Sequence, residues 1–213
     1  MKRLMDFGIS VLGLALLSPI LLATAILIKL DSRGPVFYRG VRVGRHGNPF
    51  RIFKFRTMVV NADKIGGSST PEDDPRLTRI GSSLRKYKLD ELPQLFNVLA
   101  GEMSLVGPRP QVSWAVERYS VEEKELLKVR PGITDYASLR FRNEGEILRG
   151  SADPDKDYLE KVQPEKMRLS LDYVRNRSFW LDCRILMETV ATMLFRPQRS
   201  ASQTHSSSSR TLG

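Results

Sequence analysis

A chain of 213 residues suits one sizeable domain, with little left for a second. Lys plus Arg total 34 against 24 Asp plus Glu, a formal charge of +10 and a sequence pI near 9.9, which favours phosphates, nucleotides, nucleic acid or the inner face of a membrane as partners. Hydrophobic residues at 41% with a mean hydropathy of -0.28 exclude a multi-spanning membrane protein and equally a wholly disordered one. Cys183 is the single cysteine and His46 and His205 the two histidines, so a disulfide framework, a Cys-rich zinc site and His-rich metal chemistry are excluded. Acid-base or metal chemistry falls to carboxylates.

The run from Phe7 to Ile28 carries no charge. At ~1.5 Å per residue it is roughly 33 Å long, enough to cross a hydrocarbon core of about 30 Å. It is too long for a signal-peptide apolar region, and no small-x-small cleavage site leads into a polar mature start. Pro19 sits near its middle, where the missing N–H frees the carbonyl of Ala15, and Ser18 can bond back to the carbonyl of Leu14. Each arm beside such a bend is too short to cross alone. Lys2 and Arg3 precede the run and Lys29 and Arg33 follow it, so the positive-inside rule puts both ends in the cytosol. A spanning helix and a helix that bends back to the same face both fit these features.

Residues 31 to 59 are basic, with Arg33, Arg39, Arg42, Arg45, Arg51, Lys54 and Arg56 against Asp31. Alternation across Arg51–Met58 predicts a strand with Phe53 and Phe55 on one side and Lys54 and Arg56 on the other. A phosphate or plain water could face those cations. Asn61 to Pro75, rich in Gly, Ser, Asp and Pro, reads as a mobile surface loop. Neither a Walker A loop nor a GxGxxG turn is present.

Ser82 or Ser83 is expected to cap a short helix through Tyr87. A second helix is expected over Glu91–Leu99, with Leu92, Leu95, Phe96 and Leu99 on one face and Gly101 beyond its end. Asp90 is then its N-cap, with Glu91 and Pro93 in the first turn. Such a pair is usually only a dipole-matched cap; the sharper reading is a nucleophilic or Mg²⁺-binding carboxylate at a positive helix end. Met103–Pro110 holds Arg109 between two prolines, and Val129–Thr134 repeats the Arg-Pro turn at Arg130, an arrangement suited to oxyanions or a diphosphate. Glu117–Lys128 reads as a charged helix, and 140–166 as charged loop and helix surface. Phe179–Phe195 is apolar but interrupted by Asp182, Arg184 and Glu188, so it packs in the core or lies in an interface. The Ser-rich end from Pro197 reads as disordered.

From the basic start and the Ser18-Pro19 break through Phe53–Met58, Leu89–Leu99, Gly101–Pro110 and Val129–Thr134, the chain resembles the bacterial sugar transferases, monotopic phosphoglycosyl transferases that begin glycan assembly. The resemblance implies an α+β, mostly helical fold: a re-entrant membrane helix bent at Ser18-Pro19 over residues 1–30, a cytosolic catalytic domain with interfacial amphipathic helices over 31–196, and a disordered tail over 197–213. It implies transfer of a sugar-1-phosphate from a UDP-sugar to a polyprenyl phosphate such as undecaprenyl phosphate, with release of UMP, in the cytoplasmic leaflet of the bacterial inner membrane. Asp90 would be the nucleophile, forming an aspartyl-phosphosugar; Asp90 and Glu91 would hold Mg²⁺; Arg109 would bind phosphate, with Lys54, Arg56, Arg85 and Arg130 as supporting cations. The chain departs from the common Pro-Gly-Ile-Thr-Gly-Trp by carrying Asp135-Tyr136. A polyprenol-phosphate glycosyltransferase that releases UDP is the alternative, followed by a non-catalytic basic adaptor at a membrane or on nucleic acid. The absence of an interleaved aromatic-basic sheet argues against nucleic acid. The sugar, the glycan pathway and the oligomeric state, a homo-oligomer included, stay open.

Overall fold

The computed structural model describes residues 1–67 and 69–195. The Ser-rich tail expected from 197 lies outside the described residues. The fold is mostly helical, with three small two-stranded sheets, as the α+β expectation required.

Helix α1 (Lys2–Asp31) is assigned as one unbroken helix with Pro19 inside it, where the sequence suggested two arms. The local chemistry explains the continuity. Proline removes only the donor to Ala15, and the Ser18 hydroxyl donates to that same carbonyl at 2.8 Å, rather than to Leu14 as expected. By length and apolar composition α1 could cross a membrane. Both of its ends, however, are tied to the rest of the chain. Lys2 donates to the carbonyl of Val106 and pairs with Asp182, Arg3 donates to the carbonyls of Val98 and Leu99, and Asp6 accepts from Ser104 and Leu105. At the far end Asp31 accepts from the amide of Ile80. Between these anchors Leu14, Leu17, Leu21 and Ala25 pack on the body, while Leu4, Leu12, Leu16, Leu22 and Leu30 stay exposed on the outer side.

After α1 come two antiparallel pairs. β1 (Phe37–Tyr38) pairs with β4 (Lys54–Phe55), and β2 (Val41–Val43) pairs with β3 (Pro49–Arg51). The single alternating strand expected over Arg51–Met58 is therefore broken at Ile52-Phe53. The aromatic pair still gathers: Phe37 stacks on Phe55 at 5.5 Å and meets Phe53 edge-on at 5.9 Å.

Helix α2 (Arg79–Lys86) is capped by Thr78, whose hydroxyl accepts from the amide of Gly81 at 3.0 Å. The cap predicted at Ser82 or Ser83 thus falls one turn late. Helix α3 (Gln94–Ala100) ends, as expected, at Gly101 with φ 84, the left-handed conformation only glycine adopts cheaply. Next, β5 (Ser104–Val106) runs parallel to β6 (Gly132–Thr134). The strands are flanked by Gly107 and Gly132, which lie so close that a Cβ on Gly132 would stand 2.1 Å from the Gly107 amide nitrogen. That contact sets the two Arg-Pro turns side by side.

The helix expected over Glu117–Lys128 is instead α4 (Ser113–Val116) and a separate 3-10 turn over Glu123–Lys128. Short helices α5 (Tyr136–Arg140), α6 (Glu144–Ile147) and α7 (Pro154–Asp157) lead into α8 (Gln163–Asn176) and α9 (Phe179–Phe195). The main core joins Phe50, Ile52, Leu95, Val98, Met103, Leu105, Val106, Tyr173 and Ile185. Helix α9 packs in the core, the first of the two roles expected of it. Ile185 is buried while Trp180, Met187 and Val190 face outward.

Candidate functional site

Asp90 and Glu91 do not cap α3. They sit in a 3-10 turn, Leu89–Glu91, that opens from Lys88 in a left-handed conformation (φ 58, ψ 21). Leu92 and Leu95 donate three residues back, to the carbonyls of Leu89 and Leu92, so tight turns precede the α-helical ladder that starts at Gln94, later than the apolar spacing suggested. A left-handed Lys costs about 1 kcal/mol relative to glycine, and such strain is typical of functional turns.

The turn brings distant side chains onto the dyad. Arg109 grips Glu91 with two nitrogens, at 3.1 and 2.5 Å, a planar bidentate fit. The rigid Pro108-Arg-Pro110 segment aims it. Lys54 reaches Glu91 at 2.9 Å and lies 4.0 Å from Asp90. Lys54 is held there by Asn97, whose side chain accepts from the Phe53 amide at 2.8 Å and donates to the Arg51 carbonyl at 2.9 Å. Arg85 donates to the Thr70 carbonyl at 3.0 Å and acts on Asp90 electrostatically.

The two carboxylates differ in state. Burial pushes Asp90 up, and Lys54 is the strongest of the nearby cations that oppose it. Its Oδ1 is buried with no hydrogen-bond partner among the described residues. Burial also acts on Glu91, but Arg109 and then Lys54 outweigh it and hold that group well below the ordinary carboxylate range. Arg109 in turn is raised, chiefly by Glu91. A raised Asp beside a depressed Glu is a pair whose environments assign different tasks.

Two of the expected cations are engaged elsewhere. Arg56 is buried and donates to Pro35 and Ser32, closing the end of α1. Arg130 donates to the carbonyl of Gly101 at 2.9 Å. Ser18 and Pro19 lie in α1. Sequence reasoning missed Lys88, which burial lowers against the pull of Glu91, and Glu144, which acts on both Arg85 and Arg109. A long cation directly before an Asp-Glu pair was the available signal for Lys88; nothing local marked Glu144. The loop expected to be mobile is tied at several points. Arg76 pairs with Asp74 and donates to the carbonyls of Ala62, Gly67 and Ser69, while Glu72 bonds to Gly145 and Arg149. The departure at Asp135 has a structural account: its fully buried carboxylate caps α5 through Ser138 and accepts from Ser170.

Known proteins resemble the chain over nearly all of its described residues. Residues 1–196 match the family model described as bacterial sugar transferase. Over 196 residues the chain is 40% identical to the UDP-N-acetylgalactosamine-undecaprenyl-phosphate N-acetylgalactosaminephosphotransferase of Aeromonas hydrophila, covering 91% of this chain and 43% of that one. It is 40% identical to the UDP-glucose:undecaprenyl-phosphate glucose-1-phosphate transferase of Escherichia coli (strain K12), covering 89% and 39%. A relative of the same description from Caulobacter vibrioides is 38% identical, covering 91% and 69%. The chain thus spans about two fifths of the first two relatives. A match over nearly all the described residues, running through the dyad turn and both Arg-Pro turns, means that the chain belongs to the bacterial sugar transferase family.

Proposed function

We propose that the protein transfers a sugar-1-phosphate from a UDP-sugar to a polyprenyl phosphate and releases UMP, with Asp90 as nucleophile. The observation that carries this reading is the buried Asp90 carboxylate, one oxygen of it unpartnered among the described residues, ringed by Lys54, Arg85, Lys88 and Arg109. The names of the relatives supply the substrate class, and they differ in the sugar.

In the first step a carboxylate oxygen of Asp90 attacks the sugar-bearing phosphorus. An O–P bond forms, the P–O bond to the uridylyl phosphate breaks, and UMP leaves with that oxygen. In the second step an oxygen of the lipid phosphate attacks the same phosphorus, and the Asp90 carboxylate leaves. Splitting the transfer spares two anionic substrates a direct encounter. A carboxylate whose charged form is poorly solvated is a stronger nucleophile, consistent with the upward displacement of Asp90. Glu91 does not attack in this scheme. It holds Arg109 and Lys54 in place.

Mg²⁺ fits this donor set. Although no group of three or more metal-ligating side chains occurs among the described residues, Mg²⁺ commonly takes one or two carboxylates together with substrate phosphates. Asp90, through its unpartnered oxygen, and Glu91 are the residues that would hold it, and the ion would offset diphosphate charge.

Helix α1 supports a seat on one face of the membrane. Both of its ends bond to the same body while its outer side is apolar, which supports the reading that the chain enters and leaves the lipid on one face, and the basic residues flanking both ends favour the cytoplasmic one. The outward Trp180, Met187 and Val190 of α9 extend that surface. Single cysteines at Lys2 and Arg33, each with Cys183→Ser, should both resist labelling from the periplasmic side; labelling at position 2 from outside would show a true span.

The functional test is nucleotide analysis. The full chain in lipid, given UDP-sugars and undecaprenyl phosphate, should release UMP in a Mg²⁺-dependent manner. Release of UDP would replace this reading with a sugar-only transfer.

A further inference from the structure

The cations around the dyad are not equally available to a substrate. Arg109 has two nitrogens on Glu91 and Lys54 has its ammonium on the same carboxylate. Arg85 donates to the Thr70 carbonyl. Arg56 and Arg130 donate to Ser32, Pro35 and Gly101. Lys88 differs from all of them. Among the described residues its ammonium makes no hydrogen bond and no ion pair, yet it is half-buried and its electrostatic neighbours are Glu91, Arg109, Asp90 and Lys54. The side chain is carried there by a left-handed residue, a conformation that glycine or asparagine adopts more readily than lysine. The cluster also holds more positive than negative charge. Lys54, Arg85, Lys88 and Arg109 face Asp90 and Glu91, and adding Glu144, together with Asp74 and its partner Arg76, still leaves a cationic surplus. A half-buried, unpaired cation beside a surplus of like charge is a site for an anion.

We infer that the Lys88 ammonium is a substrate-phosphate ligand, contacting a phosphate of either the nucleotide donor or the polyprenyl acceptor as it docks against Asp90. The inference rests on the phosphoryl-transfer reading above. In it, Arg109 and Lys54 order the dyad through Glu91, whereas Lys88 meets the substrate directly. A lysine suits this task as a compact point charge that needs no fixed fork geometry.

The test uses the full chain in lipid vesicles with Lys88→Gly, Lys88→Gln and Lys88→Arg, reading UDP binding by calorimetry, KM for donor and for undecaprenyl phosphate, and thermal stability. Glycine relieves the backbone strain, so Lys88→Gly should be at least as stable as wild type. Its UDP affinity or its KM for one substrate should nevertheless worsen by about tenfold or more, the scale of one charge-assisted hydrogen bond. Lys88→Gln, which keeps the stem and loses the charge, should behave alike, and Lys88→Arg should retain most of the affinity. Loss of UDP binding and a raised donor KM identify the donor phosphate; a raised acceptor KM alone identifies the lipid phosphate. Unchanged UDP affinity and unchanged KM values in Lys88→Gly and Lys88→Gln overturn the inference, as does a Lys88→Arg variant no better than Lys88→Gln. A wild type that binds UDP but releases no UMP would defeat the proposed function while the binding arm still decides the role of Lys88. A wild type that does not bind UDP and shows no turnover would defeat both.

Discussion

Two buried charged clusters in this protein are built on opposite principles. Where the start of α1 meets β5 and α9, every carboxylate oxygen has a donor. Asp182 is held by Lys2 at 2.5 Å and by the Tyr173 hydroxyl at 2.7 Å, and Asp6 by the Ser104 hydroxyl at 2.8 Å and the Leu105 amide at 3.2 Å. At the dyad turn Glu91 is similarly satisfied, but among the described residues Asp90 has one oxygen without a partner and the other 4.0 Å from Lys54, and the Lys88 ammonium has no acceptor. A closed network rigidifies the fold. An open one leaves interactions for a substrate to complete, and natural folds tolerate such orphans where function uses them.

The contrast predicts opposite responses to substitution. Asp90→Asn should lower turnover by at least about 10³-fold, as loss of a nucleophile does. It should leave the thermal midpoint unchanged or raised, because a charge that burial disfavours is gone; a folded, fully active Asp90→Asn enzyme would break the comparison. Asp182→Ala should do the reverse. It strands Lys2 and Tyr173 and should cost about 2–3 kcal/mol in denaturant unfolding, a figure kept moderate because Lys2 is partly exposed, while the folded fraction stays active.

The dyad itself can be dissected by pH. The Glu91 group lies below its ordinary value, so its stabilisation is complete above the usual carboxylate range and fades as pH falls toward its folded value. The stability gap between wild type and Glu91→Gln should therefore narrow on acidification below about pH 5. Asp90 is displaced upward, so wild type should lose stability relative to Asp90→Asn as pH rises through the folded Asp90 value. Smallest in effect, Thr78→Ala should cost about 1 kcal/mol through loss of the α2 cap, with little change in turnover.

Local chemistry made some of this legible from residues alone. The glycine end of α3, the aromatic gathering of Phe53 and Phe55, and the rigid aim of Arg109 follow from backbone freedom, alternation and proline. The convergence of Lys54 on Glu91 was open at that level, because it depends on Asn97 bonding to backbone more than forty residues earlier. The structural bonds of Arg56 and Arg130 were open for the same reason: a guanidinium that closes a helix end or a turn carries the same sequence signature as one that binds substrate. The apolar spacing places α3 one turn early because it does not distinguish a 3-10 turn from the first turn of an α-helix. The bonds that tie the loop before α2 were not legible in its own residues, because the arginine that gathers its carbonyls, Arg76, lies beyond its end.

The central claim is that Asp90 is the group that takes up the phosphosugar. Intact-protein and peptide mass spectrometry of the full chain incubated with a UDP-sugar and Mg²⁺, in the absence of lipid acceptor, reads it directly. The account predicts one sugar-phosphate on the peptide containing Asp90, with an equal amount of UMP released, and none in Asp90→Asn. An unmodified Asp90 under conditions where added undecaprenyl phosphate is converted to product would contradict it.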